Sequence, residues 1–285
     1  MAQQYADATV SQIGVANKSY VDQTRAQGGG WDLYFGSGTD ATIKVLGNSN
    51  QTSIVQVGKK NVAGQDIRLD WFSACSGFGA SNVGHAGVGS LTINTCDIQL
   101  ACCHVIDGGS YTLDFDQIFP GIYVTGDDNI ASISQKGNYL LAGITIDGSD
   151  NKAGISQHGS NNVATLKIDG NDNHSVIKQH NELNAAFVQV TGNDNKTGVF
   201  QKGYGNVVGQ KVDGNNNNVY ASQSGLFGSS FGGLNEAIQN VDGDNNNVLL
   251  TQQGMMNSSV QETTGSQNNS WVTQKGMFNQ SVVKQ

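Results

Sequence analysis

Proline is almost missing from this chain: Pro120 is the only one in 285 residues. Charge is sparse too. Asp, Glu, Lys and Arg make up 13%, the formal net charge is −8, and the 15 basic residues form no cluster along the sequence. That balance argues against nucleic acid or an anionic membrane surface as a partner. No apolar stretch approaches the ~20 residues that span a bilayer, so no membrane insertion is expected. No apolar pattern of helical period exceeds two turns, which argues against a helical fold. Glycine is plentiful, with 38 residues, and asparagine and glutamine recur at fixed intervals.

Units of 22 residues begin at Gly126, Gly148, Gly170, Gly192, Gly214, Gly243 and Gly265. Each carries Gly at position 1, Asn at position 4 and Gln at position 10. The Asn column is Asn129, Asn151, Asn173, Asn195, Asn217, Asn246 and Asn268. The Gln column is Gln135, Gln157, Gln179, Gln201, Gln223, Gln252 and Gln274. A sustained period of this size marks a stacked repeat architecture. A disordered low-complexity tract does not hold several columns in phase through seven units.

Each unit divides into two halves of 11. In the unit from Gly148, the constrained residues are Gly148, Asn151, Ala153, Ile155 and Gln157, then Gly159, Asn162, Ala164, Leu166 and Ile168. Within each half they alternate, so each half is a β-strand. Gly and Asn or Asp at the start of a half supply the turn, because they tolerate left-handed backbone. Strand, corner, strand, corner makes one coil. The expected fold is all-β: a two-sided parallel β-solenoid with 22-residue coils, two strands per coil. Successive coils stack ~4.8 Å apart. A buried amide is costly when unpaired, but in a ladder each Gln or Asn donates to one neighbour and accepts from the other.

The same phase reaches the N-terminus. Residues 47–68 fit as a full unit, and residues 3–24 as another through Val10, Gln12, Gly14, Asn17, Val21 and Gln23. Residues 25–46 are one period long, with a degenerate first half. The expected organisation is therefore N-terminal coils over 3–68, an irregular insertion over 69–125, and seven repeats over 126–285 with a small insertion near 226–234. The first insertion holds all four cysteines (Cys75, Cys96, Cys102 and Cys103) and Pro120. Alternation in Leu91 and Ile93, and in Tyr111, Leu113 and Phe115, predicts strands there as well. Insertions of this kind are expected to leave a solenoid at its corners.

Four cysteines this close suit two disulfides in an oxidising compartment, with connectivity open. Zinc is the rival, with His104 beside Cys102 and Cys103, although the paired spacing of a zinc site is missing; free thiols are a third reading. Asp147, Asp150, Asp169 and Asp172 recur at one corner. They suit local turns facing water better than a calcium ladder. Lys136, His158, His180 and Lys202 share position 11 and form an exposed stripe rather than a metal site. No paired carboxylates converge, so no enzyme and no cofactor are expected. The chain opens Met-Ala-Gln-Gln without a signal peptide, and is expected to be a mature secreted form.

Gln157-His-Gly159-Ser-Asn-Asn162-Val-Ala164 and Gln56-Val-Gly58-Lys-Lys-Asn61-Val-Ala63 resemble the curlin repeat of curli-type bacterial amyloid subunits. Ala8-Thr-Val10-Ser-Gln12-Ile-Gly14 is similar. The resemblance departs at the family's second Gln, which is Ile146, Ile168, Val190 or Val212 here. It implies an extracellular or cell-surface fibre subunit of biofilm or adhesive type, with secretion and nucleation accessory proteins as further partners. Its main partner would be itself. Uncapped terminal coils are expected to join head to tail, through Val10, Gln12, Asn17, Val21 and Gln23 at one end and Asn268, Val272, Gln274, Asn279 and Val283 at the other. A monomeric or trimeric solenoid that binds glycan, ice or a surface is the alternative.

Overall fold

The computed structural model describes residues 6–24, 39–59, 61–63, 89–94, 110–115, 120–225 and 233–285. The N-terminal strands are β1 (Ala6–Ile13), β2 (Lys18–Thr24), β3 (Thr39–Leu46), β4 (Gln51–Lys59) and the two-residue β5 (Val62–Ala63). A hairpin of β6 (Gly89–Asn94) and β7 (Ser110–Phe115) follows, and β8 (Gly121–Thr125) re-enters the stack. The repeats then supply β9 (Ile130–Asn138), β10 (Leu141–Asp147), β11 (Lys152–Ser160), β12 (Val163–Asp169), β13 (His174–Glu182), β14 (Ala185–Thr191) and β15 (Lys196–Tyr204). The series ends with β16 (Val207–Asp213), β17 (Asn218–Ser224), β18 (Glu236–Asp242), β19 (Asn247–Met255), β20 (Ser258–Thr264), β21 (Asn269–Met277) and β22 (Gln280–Lys284).

These strands form two parallel sheets. The first contains β1, β3, β5, β8 and the even-numbered strands from β10 to β22; the second contains β2, β4 and the odd-numbered strands from β9 to β21. The chain alternates between them, so this is the two-sided parallel β-solenoid the repeat predicts. Register is strict: Ile155 pairs with Ile133 on one side and Ile177 on the other, and Gln157 with Gln135 and Gln179. Inward Ile133, Ile155 and Ile177 of the second sheet pack against Ile144, Leu166 and Ile168 of the first in one core. Burying each such side chain stabilises by roughly 1.5–3 kcal/mol.

The corners explain the repeat's punctuation. Gly148 sits at φ +137°, and a Cβ on it would lie 1.9 Å from the carbonyl oxygen of Gly170 in the next row. Only glycine meets both demands. Position 3 is also left-handed, at φ 60° for Asp150 and 56° for Asp172, where Asp and Asn are tolerated. The acidic corner therefore follows from backbone geometry.

Three features correct the expected organisation. The first is phase. Gln23 donates to Gln56 across 33 residues, against 22 for Gln135 to Gln157. The surplus of 11 (33 − 22) falls between β2 and β3, so 3–68 is not an unbroken run of coils. Val21 and Gln23 belong to the columns of Ile54 and Gln56 in the second sheet, while Val10 and Gln12 pair with Ile43 and Val45 in the first. Sequence alternation alone cannot tell the two halves apart. The second is the insertion's position. Asp40 and Ala41 of β3 pair with β5, and Ile43 to Leu46 pair with β8. β5 and β8 thus share one row, and the insertion spans 64–120 rather than 69–125. Third, it leaves from mid-strand, between Ala63 and Gly121, and not from a corner.

Within it, β6 and β7 pair antiparallel, Leu91 opposite Leu113 and Ile93 opposite Tyr111, the strands that alternation predicts. Both approach β18, on the first sheet. That sheet's outward Val163, Ala185, Val207, Ile238 and Val260 are buried. Residues 226–232, where the small insertion falls, lie outside the described residues.

Candidate assembly site

The Gln column is a continuous hydrogen-bonded ladder. Nε2 donates to the next Oε1 from Gln135 to Gln157 (2.9 Å), Gln157 to Gln179 (2.9 Å), Gln179 to Gln201 (2.8 Å) and Gln201 to Gln223 (3.0 Å). It continues to Gln252 and Gln274 at 2.7 Å each, and starts from Gln23 and Gln56. Each amide also reaches across the core. Gln157 donates to the carbonyl of Leu141 and Gln179 to that of Val163. The column therefore ties the two sheets together, with its polar atoms satisfied in a dry interior.

The Asn column does the same for the first corner. Asn151 Nδ2 donates to Asn129 Oδ1 (3.1 Å) and to the carbonyl of Gly170 (2.7 Å), and its own Oδ1 accepts from Asn173. Asn195, Asn217 and Asn246 continue the run to Asn268. A second Asn column, through Asn162, Asn184, Asn206, Asn235 and Asn257 to Asn279, serves the opposite corner.

The residues expected at the two ends lie in the outermost rows. β1 and β2 are outermost on the N-terminal side, β21 and β22 on the C-terminal side. Val10 is 48% exposed, while Ile43, its partner one row in, is fully buried. Gln12 donates to Ser19, and Asn17 to the carbonyl of Gly47. At the other end Asn268 donates to the carbonyl of Thr264 and Gln274 to that of Ser258. Val272 is buried, and Asn279 and Val283 are half-buried. Cys75, Cys96, Cys102 and Cys103 lie outside the described residues.

A second glutamine ladder was not visible in the repeat. Gln210 donates to Gln239 (2.7 Å) and Gln239 to Gln261 (2.9 Å), inside the first sheet. These residues replace Ile144, Leu166 and Val188 in an otherwise aliphatic column. Opposite them the second-sheet column runs Ala131, Ala153, Ser175, Thr197, Val219 and Val248, and the two valines form a core cluster of their own with Val212 and Val241. Gln210 Oε1 is buried without a partner, because Val188 in the row before it has nothing to donate. The signal was the recurrence of Gln at that place in three successive units.

Among the described residues no three His, Cys, Asp or Glu side chains group as metal ligands, and no helix is long and apolar enough to cross a membrane. His158 and His180 do share a column, with ring centroids 5.9 Å apart. Among the described residues the organised chemistry is backbone and amide hydrogen bonding, repeated row by row.

No curated protein matches the chain. The family description "Curlin associated repeat" matches residues 126–159 and 148–180. These segments run from β9 through β13, where the Gln and Asn ladders are most regular. Residues 126–180 of this solenoid therefore match the curlin-associated repeat, and the later units repeat the same Gly, Asn and Gln columns.

Proposed function

We propose that the chain is the structural subunit of an extracellular, curli-like fibre of the biofilm or adhesive type, and that copies add end to end through the strands of the outermost rows. Proteins with curlin repeats are extracellular curli components, which supports the compartment and the role. The observation that carries the reading is the pair of open extremities on an in-register stack. Among the described residues, β1 and β2 have paired neighbours on one side only, and so do β21 and β22. Unpaired strand edges are templates for further strands, and a contact between unlike ends does not close on itself. In this reading no catalytic group or cofactor is needed. Secretion and nucleation proteins are the further partners.

The junction has a definite geometry. The first sheet has eleven strands, of which β5 and β8 share a row, giving ten rows; the second has nine. With β1 of one copy set on β22 of the next, the axial repeat is ten rows, about 48 Å at ~4.8 Å per row. The second sheet then has room for one further strand at each junction.

Electron microscopy of the purified chain tests this. Filaments with that axial repeat are expected, and particles that stay single at high concentration would overturn the reading. A point substitution gives the matching control. Asn279 and Gln285 bond β20, so by alternation Val282 directs its N–H away from it. Val282→Pro should block growth and leave the fold intact, since proline is tolerated on an edge strand.

A further inference from the structure

Charge is segregated on this solenoid in a way its sequence does not announce. The outward residues of β9, β11, β13 and β15 include Lys136, Lys152, Lys178, Lys196 and Lys202 against a single carboxylate, Glu182 at the far end of β13. The lysines are far apart in sequence, so no basic cluster is visible there. Parallel register gathers them, stacking Lys152, His174 and Lys196 in one column and Lys136, His158, His180 and Lys202 in another. All five lysines are exposed, and none is held in an ion pair among the described residues. Between the two columns run Ser132, Gly154, Val176 and Gly198, and beside them Ser134, Ser156, Lys178 and Phe200, so a fifth lysine stands in the middle of the face. The pKa of His180 is lowered, by burial first and then by His158, Lys202 and Lys178, as expected where unneutralised positive charge crowds.

The first corner has the opposite sign. Asp147, Asp150, Asp169, Asp172, Asp194 and Asp213 line it, and no lysine or arginine interrupts them. Both strips recur once per row, ~4.8 Å apart. A corner laid along the face therefore meets cations whichever row it starts from. The face is ~20 Å wide between its two cationic columns, at ~3.3 Å per residue over six residues. The corner is the narrow edge of two sheets ~10 Å apart, so it fits.

We propose that the outer face of the second sheet, from β9 to β15, docks the acidic first corner of a second copy of this chain, side by side with the solenoid axes aligned. This lateral contact does not depend on end-to-end addition.

Sedimentation and light scattering of the full chain test it, at about 0.01 M and about 1 M salt, where the Debye length is about 30 Å and about 3 Å. One variant is K152Q/K178Q/K196Q/K202Q. The other is D150N/D172N/D194N, in which asparagine keeps the left-handed corner. Circular dichroism checks that both fold. The wild type is expected to associate laterally at low salt and to separate at high salt. Each variant alone should lose at least tenfold in association. An equal mixture of the two should recover it, because the first keeps its corner and the second its face. Loss in the lysine variant alone would mean that the face takes some other anion, which overturns the proposal. So would a wild type that stays dispersed at low salt, association that strengthens with salt, or a mixture that fails to recover.

Discussion

Among the described residues, Glu236 is the one carboxylate whose environment should set a measurable pH dependence. It sits in β18, in a column whose neighbours are Val207 one row back and Ser258 one row on. Val207 packs with Ala185, Ile238 and Val260 in an apolar cluster, with Phe187 against it. No basic residue occupies that column, and the nearest charges on the flanking strands, Lys211 and Glu262, lie four residues along. Burial pushes the Glu236 pKa up to about 7 from 4.5. Between those values the native chain holds a proton that the unfolded chain has released, so stability falls as pH rises through this window. Below the unfolded value both states are protonated and nothing is lost; above the folded value the loss is complete. A shift of about 2.5 units at about 1.4 kcal/mol each is about 3 kcal/mol. Glu236→Gln keeps the shape and removes the ionisation. At pH 8 it should raise the unfolding free energy by about 2–3 kcal/mol, and at pH 4 leave it nearly unchanged. Denaturant titrations at the two pH values read this directly, and amide exchange in β16, β18 and β20 shows whether the gain is local. An equal effect at both pH values, or none at either, would refute the argument from burial.

Three further outcomes follow from single rows. Gln179→Leu removes a donor to Gln201 and to the carbonyl of Val163, and an acceptor for Gln157; with buried partners left unpaired, the cost should be about 3 kcal/mol or more by chemical denaturation. Gly170→Ala places a Cβ 2.0 Å from the carbonyl oxygen of Gly192, so it should open the stack and lower Tm sharply. Tyr139→Asn should do the reverse. Tyr139 is at φ 55° and 54% exposed, and its counterpart in the next coil is Asn161, at φ 56°; relief of a left-handed tyrosine should add about 1 kcal/mol.

Much of this architecture was legible because the same residue recurs wherever the same physical demand recurs. Gly148 and Gly170 mark positive φ and close approach of backbones; Gln157 and Gln179 mark a buried amide that must be paired; Ile155 and Ile177 mark the core. What stayed hidden were relations between columns. Val10 and Val21 alternate alike, and only pairing shows that one belongs to the first sheet and the other to the second. Gln210, Gln239 and Gln261 each read as a single polar exception in an aliphatic place, and become a ladder only when the rows are stacked. The lysines of β9 to β15 are spread over four coils of sequence, and become one face for the same reason.

The largest insertion shows why a stack tolerates such additions. Gln56 and Gln135 are bonded neighbours 79 residues apart, 57 more than one 22-residue period. Closing a loop of that length costs about 4 kcal/mol beyond a constant, since the cost grows only with the logarithm of length. The row it interrupts loses little. β5 and β8 both pair with β3 on one side and β10 on the other, so the backbone ladders cross the gap. The excursion also returns some of its cost, as β6 and β7 come back against β18 over outward positions that are apolar and buried. Among the described residues, the insertion's hairpin therefore lies against the first sheet, whereas the lysines are gathered on the second.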